Sequence, residues 1–399
     1  MPVTIDYAKT RLTLSIDPAR LIGQLHGPPA LPNPAEATAN ALEAPLGFPP
    51  LRRALTPDDH VVVLIDDPSP LVGTVLPAVL EHITSAGVQP TAITLLSPPG
   101  VDSAAWIDQL PDEFDDVHME THDPKNKNQL AYLATTQAGR RLYLNRSLVD
   151  ADQSVVLTTR RYDALFGYAG AETALFPALS DELTRQALLG PFYEEPPGPT
   201  PWPLRAEAME VAWLLGQPFY VQLLASAGDG LSHIVAGVSD AARAAERLLD
   251  SCWRTHPTRR ADTVVASLSG QPSEQGFTDL AAALSCATRI VRPGGRVILL
   301  SGLEGDLGDG LEFIRHADDP QAALAKLANG EITVSAAVQQ WLRGVAHAHV
   351  SLLSGLPEQL VEDLFATPLV SSQQVQRLLD QGGDCLIVRD AQRMISLVE

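Results

Sequence analysis

Between His60 and Leu96 the sequence spells out a complete supersecondary unit. His60-Val-Val-Val-Leu-Ile is apolar on both faces of an extended chain, Asp66-Asp-Pro-Ser-Pro breaks it, Val72 to Ala86 carries apolar residues at helical spacing, and Ala92-Ile-Thr-Leu-Leu is a second apolar run. A strand buried on both faces belongs inside a parallel sheet. Strand, helix and strand within about 35 residues make one crossover, and ligands of such sheets lie beyond the carboxyl ends of the strands. Asp66 and the loop Ser97-Pro-Pro-Gly100 therefore share one rim.

At 399 residues the chain exceeds one comfortable hydrophobic core, so two domains are expected. The break falls where the polar and basic residues Arg254 to Arg260 precede a fresh apolar run, Asp262-Thr-Val-Val-Ala-Ser. This divides the chain into residues 1–255, residues 256–383 and a tail, 384–399, that opens as a strand. Residues 3–16 alternate imperfectly through Leu12, Leu14 and Ile16 and read as an opening strand or hairpin. Pro191 to Pro203, carrying Trp202, is a proline-rich surface connection, and Ser239 to Trp253 is an alanine-rich helix. In the second part Thr278 to Ala287 is helical and Val297 to Leu300 adds a strand, so a second parallel sheet is expected. The fold class is α/β, with mainly parallel sheets flanked by helices.

A formal net charge of −20 argues against nucleic acid or anionic lipid as partners. No apolar run approaches the roughly 20 residues of a membrane helix, and the N-terminus lacks a basic-then-apolar signal, so a cytoplasmic location is expected. Cys252, Cys286 and Cys385 lack metal-ligand spacing and read as buried thiols of a reducing compartment. Lysine occurs only at positions 9, 125, 127 and 326, which limits any chemistry that needs one.

The stretch Thr158 to Ala178 follows the apolar run Ser154 to Leu157, a buried strand feeding a loop. Gly167 and Gly170 allow positive φ and close approach of backbone to a ligand, and N–H groups in such a turn before a helix can hold an anion. A tight strand-to-helix connection without a ligand uses the same glycines, and spacing alone favours it. His118, Glu120 and His122 share one face of an extended run, a geometry that permits a metal. A solvated edge strand explains them better.

The central stretch resembles the signature of the nickel-pincer lactate racemase family, in which a strand ending in Pro-His is followed by Ala-Gly-aromatic-Ser-Gly-Gly-Ala-Lys and then Pro-Gly. Gly167, Tyr168, Gly170 and Pro177 match that pattern; the family's catalytic His falls on Asp163 and its cofactor-bearing Lys on Thr173. Upstream, Asp66, Pro70 and Gly100 match, while Ser69 replaces an anion-binding Arg and Asp102 the second catalytic His. Downstream, Ser269-Gly-Gln-Pro answers to Gly-Gly-Tyr-Pro, with Gln271 at the aromatic; a substrate-binding Lys falls on Ala282, and Trp341 is expected at the cleft. The nickel-ligating His would fall near Leu188 or Leu189, yet no histidine occurs between His122 and His233.

The resemblance implies a ligand cleft between the two domains and a tail that returns to the first. In the family that cleft holds a nickel-pincer nucleotide, which takes a hydride from the α-carbon of a 2-hydroxy acid and returns it to either face. Carried onto this sequence, it makes Asp102 and Asp163 the catalytic candidates. Asp66, Ser69, Gly100, Gly167, Gly170 and Thr173 become cofactor-binding candidates, and Gln271 and Trp341 substrate-binding ones.

A carboxylate with a pKa near 4 is a poor base at pH 7 unless burial or a like charge raises it. Loop aspartates also cap helices, and that use is slightly favoured for Asp102 and Asp163. Three functions are compatible with these residues. One is a racemase or epimerase of a 2-hydroxy acid or related hydroxylated compound, with the nucleotide held without a covalent tether. Another is a non-catalytic binding or regulatory protein. The last is an enzyme whose aspartates hold a hard cation such as Mg²⁺.

Overall fold

The computed structural model describes every residue except 8–9, 68, 102–103, 189–191, 306, 308–310 and 399, and leaves aside the side chains of 104, 105 and 274. Asp102 therefore lies outside the described residues. Val61–Ile65 is buried at every position and pairs in parallel with Ile93–Ser97, as their apolarity requires. The first sheet runs in the order Leu231–Gly237, Phe219–Ala225, Gln153–Thr159, Val61–Ile65, Ile93–Ser97, His118–Thr121, antiparallel only in its first pair. Val61, Val63 and Ile65 face one core with Val155 and Leu157, while Val62, Leu64, Val156 and Tyr220 face another. Both sheet faces are covered.

The second sheet is parallel throughout, in the order Thr367–Leu369, His349–Gly355, Val291–Glu304, Ala261–Ser267, Cys385–Val388, Leu21–Leu25. In the first sheet the chain fills one side from Val61–Ile65 outward and then returns to fill the other, whereas in the second Leu21–Leu25 comes first at one edge, the chain then runs from Ala261–Ser267 out to Thr367–Leu369, and Cys385–Val388 enters last between Ala261–Ser267 and Leu21–Leu25. The switch points fall between Val61–Ile65 and Gln153–Thr159 in the first sheet, and between Ala261–Ser267 and Cys385–Val388 in the second. Crevices for ligands open beyond the carboxyl ends at such points.

The opening of the chain packs away from the half it was expected to join. Pro2–Tyr7 and Thr10–Ser15 form an antiparallel hairpin whose Val3, Ile5, Leu12 and Leu14 pack against Val265, Ile298 and Leu300, and Leu21–Leu25 is an edge strand of the second sheet. Pairing with Cys385–Val388 spans nearly the whole sequence and leaves no local trace, which is why residues 1–25 read as part of the first domain. The tail likewise contributes a central strand to the second sheet. Beyond it, Asp390 accepts a hydrogen bond from the Gly228 N–H (3.1 Å) and Arg393 donates to the Ser226 carbonyl (2.9 Å), both in the turn between two strands of the first sheet. Among the described residues no helix is long and apolar enough to cross a membrane.

Ile5 is wholly buried against the second sheet. Ile5→Ala should cost about 2–4 kcal/mol in urea unfolding, whereas a hairpin that merely lay on the surface would show almost no loss.

Candidate functional site

The site grows from the carboxyl end of Gln153–Thr159, at the switch point of the first sheet. Strand alternation sends the next two residues in opposite directions. Arg160 turns inward, where Nη1 donates to the Gly170 carbonyl (2.9 Å) and lies 3.7 Å from Glu172, and Nη2 bonds Glu246 of the helix Ser239–Trp253. Arg205 reaches the same Glu246 carboxylate and stacks 4.9 Å from the Tyr168 ring centre. Beside this cluster Asp250 accepts from both the Tyr162 and Tyr168 hydroxyls at 2.8 Å and takes a 3.1 Å bond from Arg254. Burial, reinforced by Asp250, raises both phenol pKa values, so neither tyrosine ionises near neutrality.

Arg161 turns outward, and Nη1 lies 3.9 Å from Asp66. Arg161 and Asp163 belong to a short hairpin with Gly167–Ala169, closed by Asp163, whose Oδ1 accepts the N–H groups of Leu165 (2.7 Å) and Phe166 (2.9 Å). Gly167 and Gly170 both have positive φ, at 77° and 92°. At Gly170 a Cβ would stand 2.8 Å from the Thr159 carbonyl, so only glycine lets this turn settle on the strand. Thr173 ties the turn from the other side: its Oγ1 accepts from the Gly170 N–H (2.8 Å) and donates to the Gly170 carbonyl (3.1 Å).

Outside this framework lies a cavity of about 490 Å³, lined from the first sheet by Asp67, Ser69, Arg161, Asp163 and Gly167, and from the second by Ser269, Gly270, Gln392 and Arg393. The two switch points thus open on the same space. One wall is the helix Phe277–Ile290, and the proline-rich connection covers part of the cavity with Trp202 stacked on Tyr193 (ring centres 4.5 Å apart). Of the candidates, Ser69, Asp163 and Gly167 line the cavity. Asp66 sits beside it through Arg161, whereas Gly170 and Thr173 are buried in the supporting turn. Gly100 and Gln271 are not among the lining residues. Trp341, expected at the cleft, is instead a fully buried core residue whose indole N–H donates to the Leu364 carbonyl (2.9 Å); on its amphipathic helix it occupies the face turned to the second core.

No group of three or more His, Cys, Asp or Glu among the described residues could hold a metal. His118–Thr121 is the sheet-edge strand expected, but His122 just beyond it is buried with Nε2 3.0 Å from the Ser180 carbonyl, and Glu120 accepts from Asn145 (2.7 Å). Residues that sequence reasoning passed over include Asp67, Asp279, Arg289 and Arg393. Asp279 and Arg289 lie on one helix, whose spacing does not by itself say that they meet the cavity; Arg393 is placed by the tail's long-range pairing.

Across the first sheet Asp66, Thr158 and Gln222 stand abreast, since Ile65 pairs with Leu157 and Thr158 with Gln222. Asp66 Oδ1, Thr158 Oγ1 and both amide atoms of Gln222 are buried without a hydrogen-bond partner among the described residues. Groups so placed are normally completed by ordered water or a ligand. Burial raises the Asp66 carboxyl above the ordinary carboxylate range, with Arg161 pulling it back, and burial raises Asp279 as well.

Two measurements follow from these environments. Glu246→Ala leaves the buried Arg160 and Arg205 without their shared carboxylate and should cost about 3–5 kcal/mol in urea unfolding, a loss an exposed ion pair would not show. Asp66 has a folded pKa above its unfolded one, so it takes up a proton on folding. Its contribution is complete below the unfolded pKa and is lost as pH rises through the folded pKa. Asp66→Asn, neutral throughout, should flatten that decline and be more stable than the parent at neutral pH; parallel stability curves for the two proteins would mean that Asp66 is ionised without penalty.

Residues 7–188 match the family model described as lactate racemase N-terminal domain. The chain is 20% identical over 394 residues to the lactate racemase of Thermoanaerobacterium thermosaccharolyticum, covering 92% of this chain and 91% of that protein. Its fold superposes on the solved lactate racemase apoprotein from that organism with a TM-score of 0.83 at 17% identity, over 99% of this chain and 100% of the other. A protein of Thermotoga maritima gives a TM-score of 0.68 at 13% identity, over 94% and 100% of the two chains. Residues 7–188 thus belong to the family of the lactate racemase N-terminal domain, and sequence similarity to a lactate racemase and the same fold run on through the rest of the chain.

Proposed function

We propose that this protein binds a small molecule in the cavity where its two switch points meet, and that it does so without the tethered nickel-pincer nucleotide its family resemblance implies. The observation that carries this reading is Thr173. The resemblance sets it at the family's cofactor-bearing lysine, and its hydroxyl is spent on the backbone of Gly170. None of Lys125, Lys127 and Lys326 lines the cavity, and among the described residues no histidine does. Among the described residues the cavity lining supplies neither a lysine for the covalent link nor a histidine for nickel.

The cavity itself supports binding. About 490 Å³ is within the usual range of small-molecule pockets, and its walls mix aromatic, carboxylate and guanidinium groups. The net charge of −20 speaks against polyanionic partners. Cys286, buried at the cavity wall with its thiol pushed up to about 11 by burial, is inert as a nucleophile and suits a reducing, cytoplasmic setting.

A second reading, a racemase or epimerase of a hydroxylated compound with the nucleotide held non-covalently, draws on the retained Gly167 and Gly170 backbone path. Co-expression with the enzymes that build the pincer nucleotide separates the two. The proposed function expects an unmodified intact mass and no stoichiometric nickel. Bound nickel at about one per chain would overturn it in favour of the second reading.

A further inference from the structure

The cavity is polarised along its length. The helix Phe277–Ile290 turns Thr278, Asp279, Ala282, Ser285, Cys286 and Arg289 toward it, a single face at helical spacing. Ten residues separate Asp279 from Arg289, which sets them about 15 Å apart along the helix axis. Ala282 and Ser285 between them are small, so the floor between the two ends is open.

The ends differ in sign. At the Asp279 end the first half contributes Asp67 and Asp163, and Arg161 feels Asp66, Asp67, Asp163 and Asp279 together. Arg161 is drawn to Asp66 at 3.9 Å, and Arg393 lies 4.0 Å from Asp390 and donates to the Ser226 carbonyl. Both cations there already have partners, so carboxylate is in excess. Two polar atoms at this end, Asp66 Oδ1 and Thr159 Oγ1, are buried without a partner among the described residues; the Asp66 side chain is only 8% exposed, and Thr159 lines the cavity.

At the other end Arg289 donates to the Glu194 carbonyl (2.7 Å) and has no carboxylate within ion-pair distance among the described residues, while the Glu194 carboxylate pairs with Arg343 (3.3 Å). Half-buried and without a direct ion pair among the described residues, Arg289 offers its remaining N–H groups beside the Tyr193–Trp202 stack, with the Glu194 charge near it and Glu195 also on the cavity wall. The helix dipole runs the opposite way, but it supplies about half a charge at each end, against whole charges from the side chains.

We infer that the cavity takes an elongated dipolar small molecule, with an amine or other cationic group at Asp67, Asp163 and Asp279 and a carboxylate or phosphate at Arg289. The inference rests on the cavity being the ligand site, as proposed above, and adds the chemical class of the ligand. Allowing for the reach of the side chains, the two charges of the ligand lie on the order of 10 Å apart, the span of a chain of roughly six to eight carbons.

Calorimetric titration of the full chain with three series of matched length, α,ω-aminocarboxylates, dicarboxylates and diamines, tests this. The aminocarboxylate of roughly eight carbons should bind at least about tenfold more tightly than either symmetric compound, a difference of about 1.4 kcal/mol. Arg289→Gln should weaken aminocarboxylate and dicarboxylate binding about tenfold and leave diamines unchanged; Asp163→Asn, which keeps the acceptor that closes its turn, should weaken aminocarboxylates and diamines and leave dicarboxylates unchanged. Tighter binding of a dicarboxylate or a diamine overturns the dipolar assignment while leaving the cavity as the ligand site. No binding of any series at millimolar concentration overturns both.

Discussion

The buried guanidinium of Arg160 is the interaction on which the rest of the site depends. It takes the carbonyl of Gly170 from the glycine turn and Glu246 from the helix Ser239–Trp253, and Arg205 approaches the same carboxylate from the helix Pro203–Leu214. A charge removed from water this completely is tolerated only when every partner stays in place, because losing one leaves the others uncompensated. The turn, two helices and the strand end are therefore held as one unit. A ligand cannot recruit Arg160 without dismantling that unit. Its neighbour Arg161, on the opposite side of the chain by strand alternation, lines the cavity together with Arg289 and Arg393.

Around that unit the two sheets bring their switch points to a common space, and the closing elements come from far away in sequence. Arg393 and Asp390 hold the turn Ser226–Gly230, Gly270 donates to Asp229 (3.1 Å), and Gln392 holds Ser269 (3.0 Å). The tail is thus both a strand of the second sheet and the clasp that positions it against the first.

Much of the fold was legible because burial on both faces writes itself into consecutive residues: Val61 to Ile65 and Ile93 to Ser97 have no other use. Leu21–Leu25 was not legible, since an edge strand is half-exposed and its partner lies at the far end of the chain. The site divides in the same way. Gly167 and Gly170 announced the turn, whereas Asp163, expected to cap a helix, closes a hairpin turn through the N–H groups of Leu165 and Phe166. Trp341 and Arg289 were harder, because each lies on a helix whose two faces are told apart only by what packs on them. Period says which residues travel together, not which way they look.

The glycine frame of the central turn is held for a physical reason of its own. Gly170 is fixed by steric contact: any side chain would collide with the Thr159 carbonyl, so the glycine persists as long as the turn does, whatever the turn binds. Nothing comparable fixes the residue at the tether position. Thr173 satisfies Gly170 locally, which a long cationic side chain would not do, and Asp163 closes its hairpin through the backbone. Each of the two replacements has a structural use that needs no cofactor. Backbone similarity therefore carries the fold across the whole chain, while the reaction has to be argued from the side chains that face the cavity.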